Sequence, residues 1–425
     1  MMTPRQAAQE ARASSRRVQV MESVQRTEAL RRMADALRSQ SARILTANAK
    51  DVAEAARAVD ALEMSQAMAD RLLLSEKKLG TLAEGIEAIS EMEEPIGRVL
   101  QEMELAAGLR LSQESVPLGV VLIIFESRPD VLPQLIALAL RSGNGLLLKG
   151  GKEAVHSNRI LHEVIREAIE PIPASLFALV ETREAVSDLL GLDDVIDLVV
   201  PRGSNALVKH IQENTRIPVL GHADGICHVF VDASADPEMA RSIVLDSKTD
   251  YPAACNAMET LLLHRNYPHA QDLINGLESA GVRLLGDAHA KDRHGLELTH
   301  DFAVEYGELS ATVCYVDGLS DAIDHIHNFG SGHTDCVVTQ DEAIAKEFLS
   351  RVDSACVFHN ASTRFADGYR FGLGAEVGIS TSRIHARGPV GVDGLMTTRW
   401  RLVGSGHTAS SFARGDSVFT HRRLR

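Results

Sequence analysis

Residues 119–153 read GVVLIIFESRPDVLPQLIALALRSGNGLLLKGGKE and contain the pattern that determines the fold class. The apolar runs at 119–125 and 146–149 are short and predict buried strands, whereas residues 133–141 between them predict a helix. A strand, a helix and a second strand in this order form a βαβ unit, in which the two strands are parallel. The sequence therefore predicts an α/β fold around a mostly parallel sheet.

The same alternation continues along the chain and predicts two α/β domains. A helix over 153–169 is followed by a third strand at 196–200. A second series of strands is predicted at 229–231, 260–263, 313–316, 336–339 and 355–358. Helices between them are expected to start near Pro237, Tyr267, Leu319 and Asp341. We place the domain boundary near 227–229, after the glycine-rich segment 221–225.

The segments outside these series have other patterns. Residues 1–95 are rich in Ala, Arg and Glu with apolar side chains at helical spacing, which predicts amphipathic helices. Residues 99–105 and 109–116 alternate in polarity around a turn at 106–108 and predict a β-hairpin, an element that often mediates subunit contact. Residues 404–425 are polar, with Gly and Ser, and predict a mobile tail.

Composition excludes several classes of protein. The chain has 425 residues, 45% hydrophobic, with 44 Lys and Arg against 58 Asp and Glu, a net charge of −14. This excludes intrinsic disorder and argues against nucleic-acid binding, which needs clustered basic residues. No apolar run approaches the roughly 20 residues of a membrane span, and we expect a cytoplasmic protein. The five cysteines form no CxxC pair, so neither a disulfide framework nor a structural zinc site is indicated.

Two glycine-rich turns are candidate phosphate sites. Residues 146–153 (LLLKGGKE) pass from a strand through Gly150 into a helix, where backbone N–H groups at a helix N-terminus bind phosphate and Lys149 adds a charge. Residues 201–205 (PRGSN) repeat this arrangement after the next predicted strand. Each turn alone is ordinary structural punctuation. Two of them at the carboxyl ends of parallel strands favour a nucleotide ligand.

Cys255 is the candidate nucleophile. It lies in residues 250–260 (DYPAACNAMET), where small neighbours allow substrate and cofactor to approach the sulfur and the backbone N–H can serve an oxyanion. A buried, inert cysteine is the alternative. The other four cysteines lie in or beside predicted strands, where the inert interpretation is stronger.

Charged and histidine-rich segments offer weaker candidates. Residues 125–130 (FESRPD) place Glu126 and Arg128 after a strand, where they could pair with the ammonium and carboxylate of an amino acid, or form a solvated turn with an N-cap. His222, Asp224, Cys227 and His228 cluster in sequence, as do His325, His327 and His333. Neither spacing matches a zinc pattern, so we predict no metal. His333 lies in a flexible loop, 330–335 (GSGHTD), and stays a candidate site residue.

Taken together, these segments resemble the gamma-glutamyl phosphate reductases, also called glutamate 5-semialdehyde dehydrogenases, of the aldehyde dehydrogenase superfamily. The resemblance covers nearly the whole chain. It is carried by SGN at 142–144 leading to KGG at 149–151, and by residues 250–260, 330–335 and 374–381 (GAEVGIST). Residues 221–228 (GHADGICH) and 382–389 (SRIHARGP) are especially similar to the reductase half of pyrroline-carboxylate synthetase.

The resemblance implies an architecture of two doubly wound α/β domains with a β-hairpin oligomerisation element. Residues 1–97 and 118–228 would form the NADP-binding domain, and 229–390 the catalytic domain. Residues 98–117 and 391–403 would form the oligomerisation strands, with 404–425 as the polar tail. A homo-oligomer is expected, with glutamate 5-kinase as a candidate partner and no role for nucleic acid or membrane.

The resemblance also implies roles for individual residues. Lys149 with Gly150 matches the position that holds the adenosine ribose and, in NADP-dependent members, its 2′-phosphate. Gly203 and Ser204 match the turn under the pyrophosphate, and Glu308 falls near the residue that holds the nicotinamide ribose. The expected cofactor is therefore NADPH or NADP. The candidate substrate ligands are Glu126, Arg128, Asn256, His333 and Arg387.

The implied chemistry follows from Cys255 and from one difference between this chain and the oxidising aldehyde dehydrogenases. Oxidising aldehyde dehydrogenases carry a glutamate that activates water to hydrolyse the thioester, but here the matching residues 220–224 read LGHAD. Arg128 stands near the position of the superfamily's oxyanion-hole asparagine. Phe329 differs mildly from the His or Tyr that usually precedes the 330–335 loop in the reductases. We expect Cys255 to form a gamma-glutamyl thioester that NADPH reduces to glutamate 5-semialdehyde in proline biosynthesis. The alternatives are a broad NAD-dependent aldehyde dehydrogenase and a non-catalytic nucleotide-binding scaffold.

Overall fold

The computed structural model describes residues 2–180, 184–203, 205–221 and 224–425, which form two units. The first unit comprises Met1–Leu220, Leu373–Val377 and Val390–Arg425. The second comprises Gly221–Gly372 and Gly378–Pro389. The assignment of cofactor binding to the first and catalysis to the second stays a prediction.

The helices of the described residues are, in chain order, α1 (Pro4–Val18), α2 (Ser23–Ser39), α3 (Ser41–Asp60), α4 (Gln66–Leu72), α5 (Glu76–Glu91), α6 (Val131–Ser142), α7 (Val155–Ala168), α8 (Glu184–Leu190), α9 (Asn205–Glu213), α10 (Pro237–Thr249), α11 (Ala270–Ser279), α12 (Ala288–His294), α13 (Leu319–Phe329), α14 (Glu342–Arg351) and α15 (Ala409–Ala413). The first five confirm the predicted helical start of the chain.

The strands of the described residues are, in chain order, β1 (Val99–Ala106), β2 (Leu109–Pro117), β3 (Val120–Phe125), β4 (Gly145–Gly150), β5 (Phe177–Leu179), β6 (Leu198–Arg202), β7 (Cys227–Val231), β8 (Met258–His264), β9 (Arg283–Gly286), β10 (Glu297–Leu298), β11 (Ser310–Val316), β12 (Thr334–Val338), β13 (Cys356–His359), β14 (Ile379–Ser380), β15 (Gly388–Pro389), β16 (Met396–Val403) and β17 (Arg422–Arg423).

The first unit is built on a parallel sheet in the order β5-β4-β3-β6. All six residues of β3 are buried, as expected for a strand covered on both faces. Phe125 pairs with Gly150 of β4 on one side and with Arg202 of β6 on the other, so the three carboxyl ends lie at one edge. Because the chain goes from β3 to β4 and β5 before it returns to β6, strand order reverses beside β3. Ligands of open α/β sheets bind at such a point.

The predicted hairpin is confirmed and belongs to an antiparallel sheet in the order β16-β2-β1-β17. The segment 404–425, expected to be a tail, contains α15 and β17, and β17 pairs with β1 through Glu104 and Arg422. Arg422 Nη2 also lies 2.6 Å from Glu104 Oε2. In β16 all residues after Met396 are exposed.

The second unit has a parallel sheet in the order β10-β9-β11-β8-β7-β12-β13. Its core includes Val229, Leu261, Val313 and Val338, one from each of the four central strands β7, β8, β11 and β12. Since the strands are parallel, the segments that enter them meet at one edge of the sheet.

The α/β fold class predicted from the sequence is confirmed. The sequence missed β5, β9 and β10, which are short or lie toward the edge of a sheet and have no long apolar run to identify them. Among the described residues, no helix combines the length and the apolar character needed to cross a membrane.

Candidate active site

The predicted cofactor residues of the first unit lie at the carboxyl edge of its parallel sheet. Lys149 and Gly150 are the last two residues of β4, and Gly203 follows β6. Lys149 is half-buried, and its ammonium donates to the carbonyl of Gly150. Ser204, the remaining predicted pyrophosphate residue, lies outside the described residues. The parallel sheet therefore brings two distant glycine-rich turns to one edge.

Two glycines at this edge are tightly surrounded. A Cβ added at Gly203 would lie 2.4 Å from Glu126 Oε2 and 2.8 Å from Leu207 Cδ2. A Cβ added at Gly150 would lie 2.2 Å from Asn158 Nδ2. Such distances are below van der Waals contact, so side chains at these turns would displace their neighbours. Both positions are thus packed so closely that glycine alone fits without displacing a neighbouring side chain.

The loop after β3 carries Glu126 and Arg128, and hydrogen bonds to Glu153 fix its backbone. Ser127 has a φ of +47°. Its N–H donates to Glu153 Oε1 at 2.6 Å and its hydroxyl donates to the same oxygen at 2.9 Å. Arg128 is half-exposed, with Nη2 3.8 Å from Asp130 Oδ2. Asp130 occupies the N-cap position of α6 without a side-chain cap bond, so its carboxylate does not cap that helix.

Cys255 differs from the other cysteines in its exposure. All five cysteines are described, and Cys255 is partly exposed whereas the other four are buried. Burial raises the pKa of Cys227 well above its ordinary value and raises that of Cys336 to about 12. Both therefore remain thiols at neutral pH, and a thiol is a far weaker nucleophile than a thiolate. The exposure pattern favours Cys255 as the reactive sulfur.

The turn that carries Cys255 is fixed from several directions. Within it, Ala254 N donates to Tyr251 O at 3.1 Å. Cys227 Sγ donates to Cys255 O at 3.2 Å, a contact that no local sequence pattern predicts. Asn256 Nδ2 donates to Ala366 O at 2.8 Å, and Asn256 is 3% exposed. The predicted substrate role of Asn256 stays a prediction, and the structure also places it as an anchor of the turn.

Four adjacent strands bring the second unit's candidate residues together at their amino ends. Cys255 precedes β8, Cys227 begins β7, His333 precedes β12 and Glu308 precedes β11. His333 is buried, with Nδ1 2.8 Å from Thr334 Oγ1 and 3.6 Å from Cys227 Sγ. Glu308 is exposed and accepts from Ser310 Oγ at 3.0 Å. The roles assigned to Glu308 and His333 stay predictions.

Arg387 is held by a carboxylate of its own unit. Its Nη1 lies 2.7 Å from Asp353 Oδ1, and its Nη2 donates to Asp353 O at 2.8 Å. Arg387, followed by Arg383, lowers the pKa of Asp353 below its ordinary value. This pairing orients the guanidinium, and the substrate role of Arg387 stays a prediction.

Two charged clusters beside Cys255 were missed from the sequence. Asp250 Oδ2 accepts from Arg364 Nε at 3.1 Å and from Arg370 Nη2 at 3.0 Å. Lys248 Nζ lies 2.8 Å from Glu259 Oε2, and both side chains are fully buried. The available signal for Glu259 was a carboxylate directly before the predicted strand at 260–263.

The sequence-based expectation that the protein uses no metal stays a prediction. Among the described residues, Asp51, Glu54 and His156 lie close enough to share an ion. Asp51 already accepts from the backbone N–H groups of His156 and Ser157 at 3.1 and 2.7 Å. Its carboxylate therefore serves the start of α7. His222, from the other histidine-rich segment, lies outside the described residues.

His325 packs against phenylalanine rings and is expected to lower the stability of the protein in acid. Burial, and then the nearby His228, lower its pKa from 6.5 to about 3, and its Nε2 is buried without a partner among the described residues. The unfolded chain binds a proton at this histidine below about pH 6.5 while the folded chain does not, so stability falls as the pH decreases from 6.5 toward 3.

We expect His325→Phe to flatten this acid limb, because phenylalanine keeps the ring contacts with Phe302 and Phe329 and binds no proton. Relative to wild type, the variant should gain up to about 2 kcal/mol on going from pH 7 to pH 5. Urea unfolding at the two pH values measures the difference. Equal pH dependence in both proteins would contradict the expectation.

Comparison with known proteins places these features in a family. The model of the aldehyde dehydrogenase family matches residues 3–281. The gamma-glutamyl phosphate reductase of Natronomonas pharaonis is 50% identical over 406 residues, which cover 94% of this chain and 93% of that protein. The delta-1-pyrroline-5-carboxylate synthase of Mesembryanthemum crystallinum is 54% identical over 97% of this chain. The chain spans 58% of the length of that synthase.

A solved structure extends the similarity to the fold. The gamma-glutamyl phosphate reductase of Thermotoga maritima matches with a TM-score of 0.90 and 34% identity, over 95% of this chain and 99% of that one. The similarity thus extends over nearly the whole chain.

Proposed function

Because the chain belongs to the aldehyde dehydrogenase family and, within it, to the gamma-glutamyl phosphate reductases, we propose that it reduces L-gamma-glutamyl 5-phosphate to L-glutamate 5-semialdehyde with release of phosphate. The product would serve proline biosynthesis after its spontaneous cyclisation to pyrroline-5-carboxylate. The single observation that carries this proposal is the partly exposed Cys255, on a turn fixed at the edge of the sheet, in a chain whose other cysteines are buried.

The proposed reaction begins with attack of the Cys255 thiolate on the acyl carbon. A carbon–sulfur bond forms, the bond from that carbon to the phosphate oxygen breaks, and phosphate leaves with the electron pair. When bound, NADPH supplies the hydride that reduces the resulting thioester. Cys255 then leaves the tetrahedral carbon as a thiolate with the carbon–sulfur electron pair, and a lone pair of the oxygen forms the second bond of the aldehyde carbonyl.

Main-chain donors at Cys255 would stabilise the oxyanion that forms in both steps. The backbone N–H of Cys255 is the proposed donor, and a donor of this kind contributes about 3 kcal/mol. Residues 220–224 lack the water-activating glutamate of oxidising relatives. This difference favours reduction of the thioester by hydride over its hydrolysis by water. A broad aldehyde dehydrogenase is the alternative that this difference disfavours.

The residues at the carboxyl edge of the first sheet fit a nicotinamide dinucleotide, the cofactor class of the family. Gly150 and Gly203 place main chain without side chains at this edge, and Lys149 supplies a cation at the same edge. We propose that Lys149 holds the 2′-phosphate of NADPH and that Gly203 lies under the pyrophosphate. Glu308 is the proposed ligand of the nicotinamide ribose.

Lys149→Met tests the preference for NADPH. The variant keeps the length of the side chain but removes its charge, so it should raise the KM for NADPH about tenfold, equivalent to one charge-assisted hydrogen bond. The KM for NADH should change less than threefold, since NADH has no 2′-phosphate. Steady-state kinetics with both cofactors measures the two values. An equal loss with both cofactors would show that Lys149 does not recognise the 2′-phosphate.

The reverse reaction tests the proposed function itself. Pyrroline-5-carboxylate and NADP are incubated with and without inorganic phosphate, and NADPH is followed by its absorbance. Phosphate-dependent formation of NADPH is the expected result. Phosphate-independent oxidation would instead favour the broad aldehyde dehydrogenase. Absence of turnover, together with Cys255 labelling that substrate does not protect, would favour a non-catalytic scaffold.

The assembly is also a proposal. The exposed strand β16 presents Trp400, Leu402 and Val403 at a sheet edge, where a second copy of this chain could add its own strand. Glutamate 5-kinase is the proposed partner, because it would deliver the unstable acyl phosphate. A cytoplasmic location stays a prediction.

A further inference from the structure

The turn that carries Cys255 is flanked along the chain by the two residues of a fully buried ion pair. Lys248, near the end of α10, and Glu259, in β8, are each 0% exposed and lie 2.8 Å apart between Nζ and Oε2. The residues between them contain Cys255 and its anchor Asn256. The pair therefore ties together the two ends of the nucleophile segment, 248–259.

The carboxylate of Glu259 also contacts the segment that leads to Glu308. Gly307 N donates to Glu259 Oε1 at 3.3 Å, and the backbone N–H of Tyr306 adds a second hydrogen bond. Glu308 is the next residue in the chain. Glu259 thus joins the nucleophile segment to the segment that carries the proposed ribose ligand, both within the second unit.

Stability alone is a weak reason for this arrangement. Removing two charges from water is costly, and apolar side chains of similar volume often replace a buried ion pair without loss of stability. Burial raises the pKa of Glu259 to about 7 and lowers that of Lys248, which is the direction expected when desolvation opposes both charges. An ion pair retained at such a cost, next to the nucleophile, calls for another function.

We propose that Glu259 and Lys248 are positioning residues that hold Cys255 in register with Glu308. This inference rests on the proposed function and assigns each partner a separable part of it. Lys248 fixes the nucleophile segment, and the Glu259 carboxylate, through the N–H groups of Tyr306 and Gly307, fixes the ribose segment.

Two double variants separate the two parts. Lys248→Met with Glu259→Met removes both connections without leaving a buried charge. It should lower kcat about tenfold and raise the KM for NADP about fivefold in the reverse assay. Lys248→Met with Glu259→Gln keeps an oxygen that can accept from Gly307. It should return the KM for NADP to within about twofold of wild type while kcat stays low.

A control removes an ion pair of the first unit, in which one partner is buried and the other is partly exposed. Glu94 pairs with the buried Arg26 at 2.6 Å in the first unit. Glu94→Gln should lower the melting temperature and leave kcat and both KM values unchanged. Wild-type kcat and KM in the double methionine variant would overturn the proposal, as would equal KM values in the two double variants. If the double methionine variant does not fold, wild-type kinetics in the Met/Gln variant would overturn it.

Two further measurements do not require turnover. These are the rate of Cys255 labelling by iodoacetamide and the dissociation constant of NADPH. Each should differ at least about threefold between wild type and the double methionine variant. Inactive wild-type enzyme would refute the proposed function alone, whereas active wild type with unchanged values in both double variants would refute this inference alone.

Discussion

Cys255→Ser is expected to lower the rate of phosphate-dependent NADPH formation by about 10⁴-fold or more, because the reaction loses its nucleophile. A serine hydroxyl remains protonated at neutral pH and is a far weaker nucleophile than a thiolate. The partly exposed position tolerates the exchange of sulfur for oxygen, so the fold should be retained. NADPH binding, measured by fluorescence, should be unchanged within about twofold.

The matched control makes the same chemical change at a buried cysteine of the same unit. Cys314 lies on β11 and is 3% exposed, and burial raises its pKa. Cys314→Ser should lower stability but leave the kcat of the folded enzyme within about threefold of wild type. Substantial activity in Cys255→Ser, or a comparable loss in both variants, would contradict the assignment of the nucleophile.

Gly225→Ala is expected to lower kcat about 100-fold without touching any reacting atom, since a displacement near 1 Å at the nucleophile costs about that factor. A Cβ at Gly225 would lie 2.2 Å from Cys255 O and 2.6 Å from Cys255 Cα. These are backbone atoms, which cannot move aside as the end of a flexible side chain can. The added methyl group must therefore shift the turn that carries the sulfur.

A second glycine of the same unit supplies the comparison. A Cβ at Gly318 would meet nothing within 4 Å, and its backbone is extended, so Gly318→Ala should retain wild-type kcat. Circular dichroism and the melting temperature establish that both variants are folded. A folded Gly225→Ala variant with wild-type kcat would show that the close approach of these two backbones has no role in catalysis.

The local patterns of the sequence were sufficient for most regular elements. Strand β3 is a continuous run of six apolar residues and β4 contains three consecutive leucines, and a glycine-rich turn follows β4 in this βαβ unit. Strands β9 and β10 escaped prediction because they have four and two residues, and such short segments carry no periodicity. The strand β17 escaped because its partner β1 lies about three hundred residues away.

The candidate site also has a part that the sequence predicted and a part that it did not. Cys255 could be singled out from its small neighbours and from the resemblance of residues 250–260 to known reductases. Its contacts could not be anticipated. Cys227 and Gly225 reach the nucleophile segment through pairing of β7 with β8, and Lys248 reaches Glu259 through packing of α10 on β8, which no local pattern encodes.

The sequence by itself determined the α/β class and the family and predicted the nucleophile, because each depends on residue types at short, fixed spacings. Only the tertiary structure decided which residues surround that nucleophile. Parallel strand order places the amino ends of β11, β8, β7 and β12 side by side, although more than one hundred residues separate the first from the last along the chain. Sheet order depends on burial and on backbone hydrogen bonds between distant segments, so the joining of Glu259 to Gly307 and of Cys227 to Cys255 appears only in the folded chain.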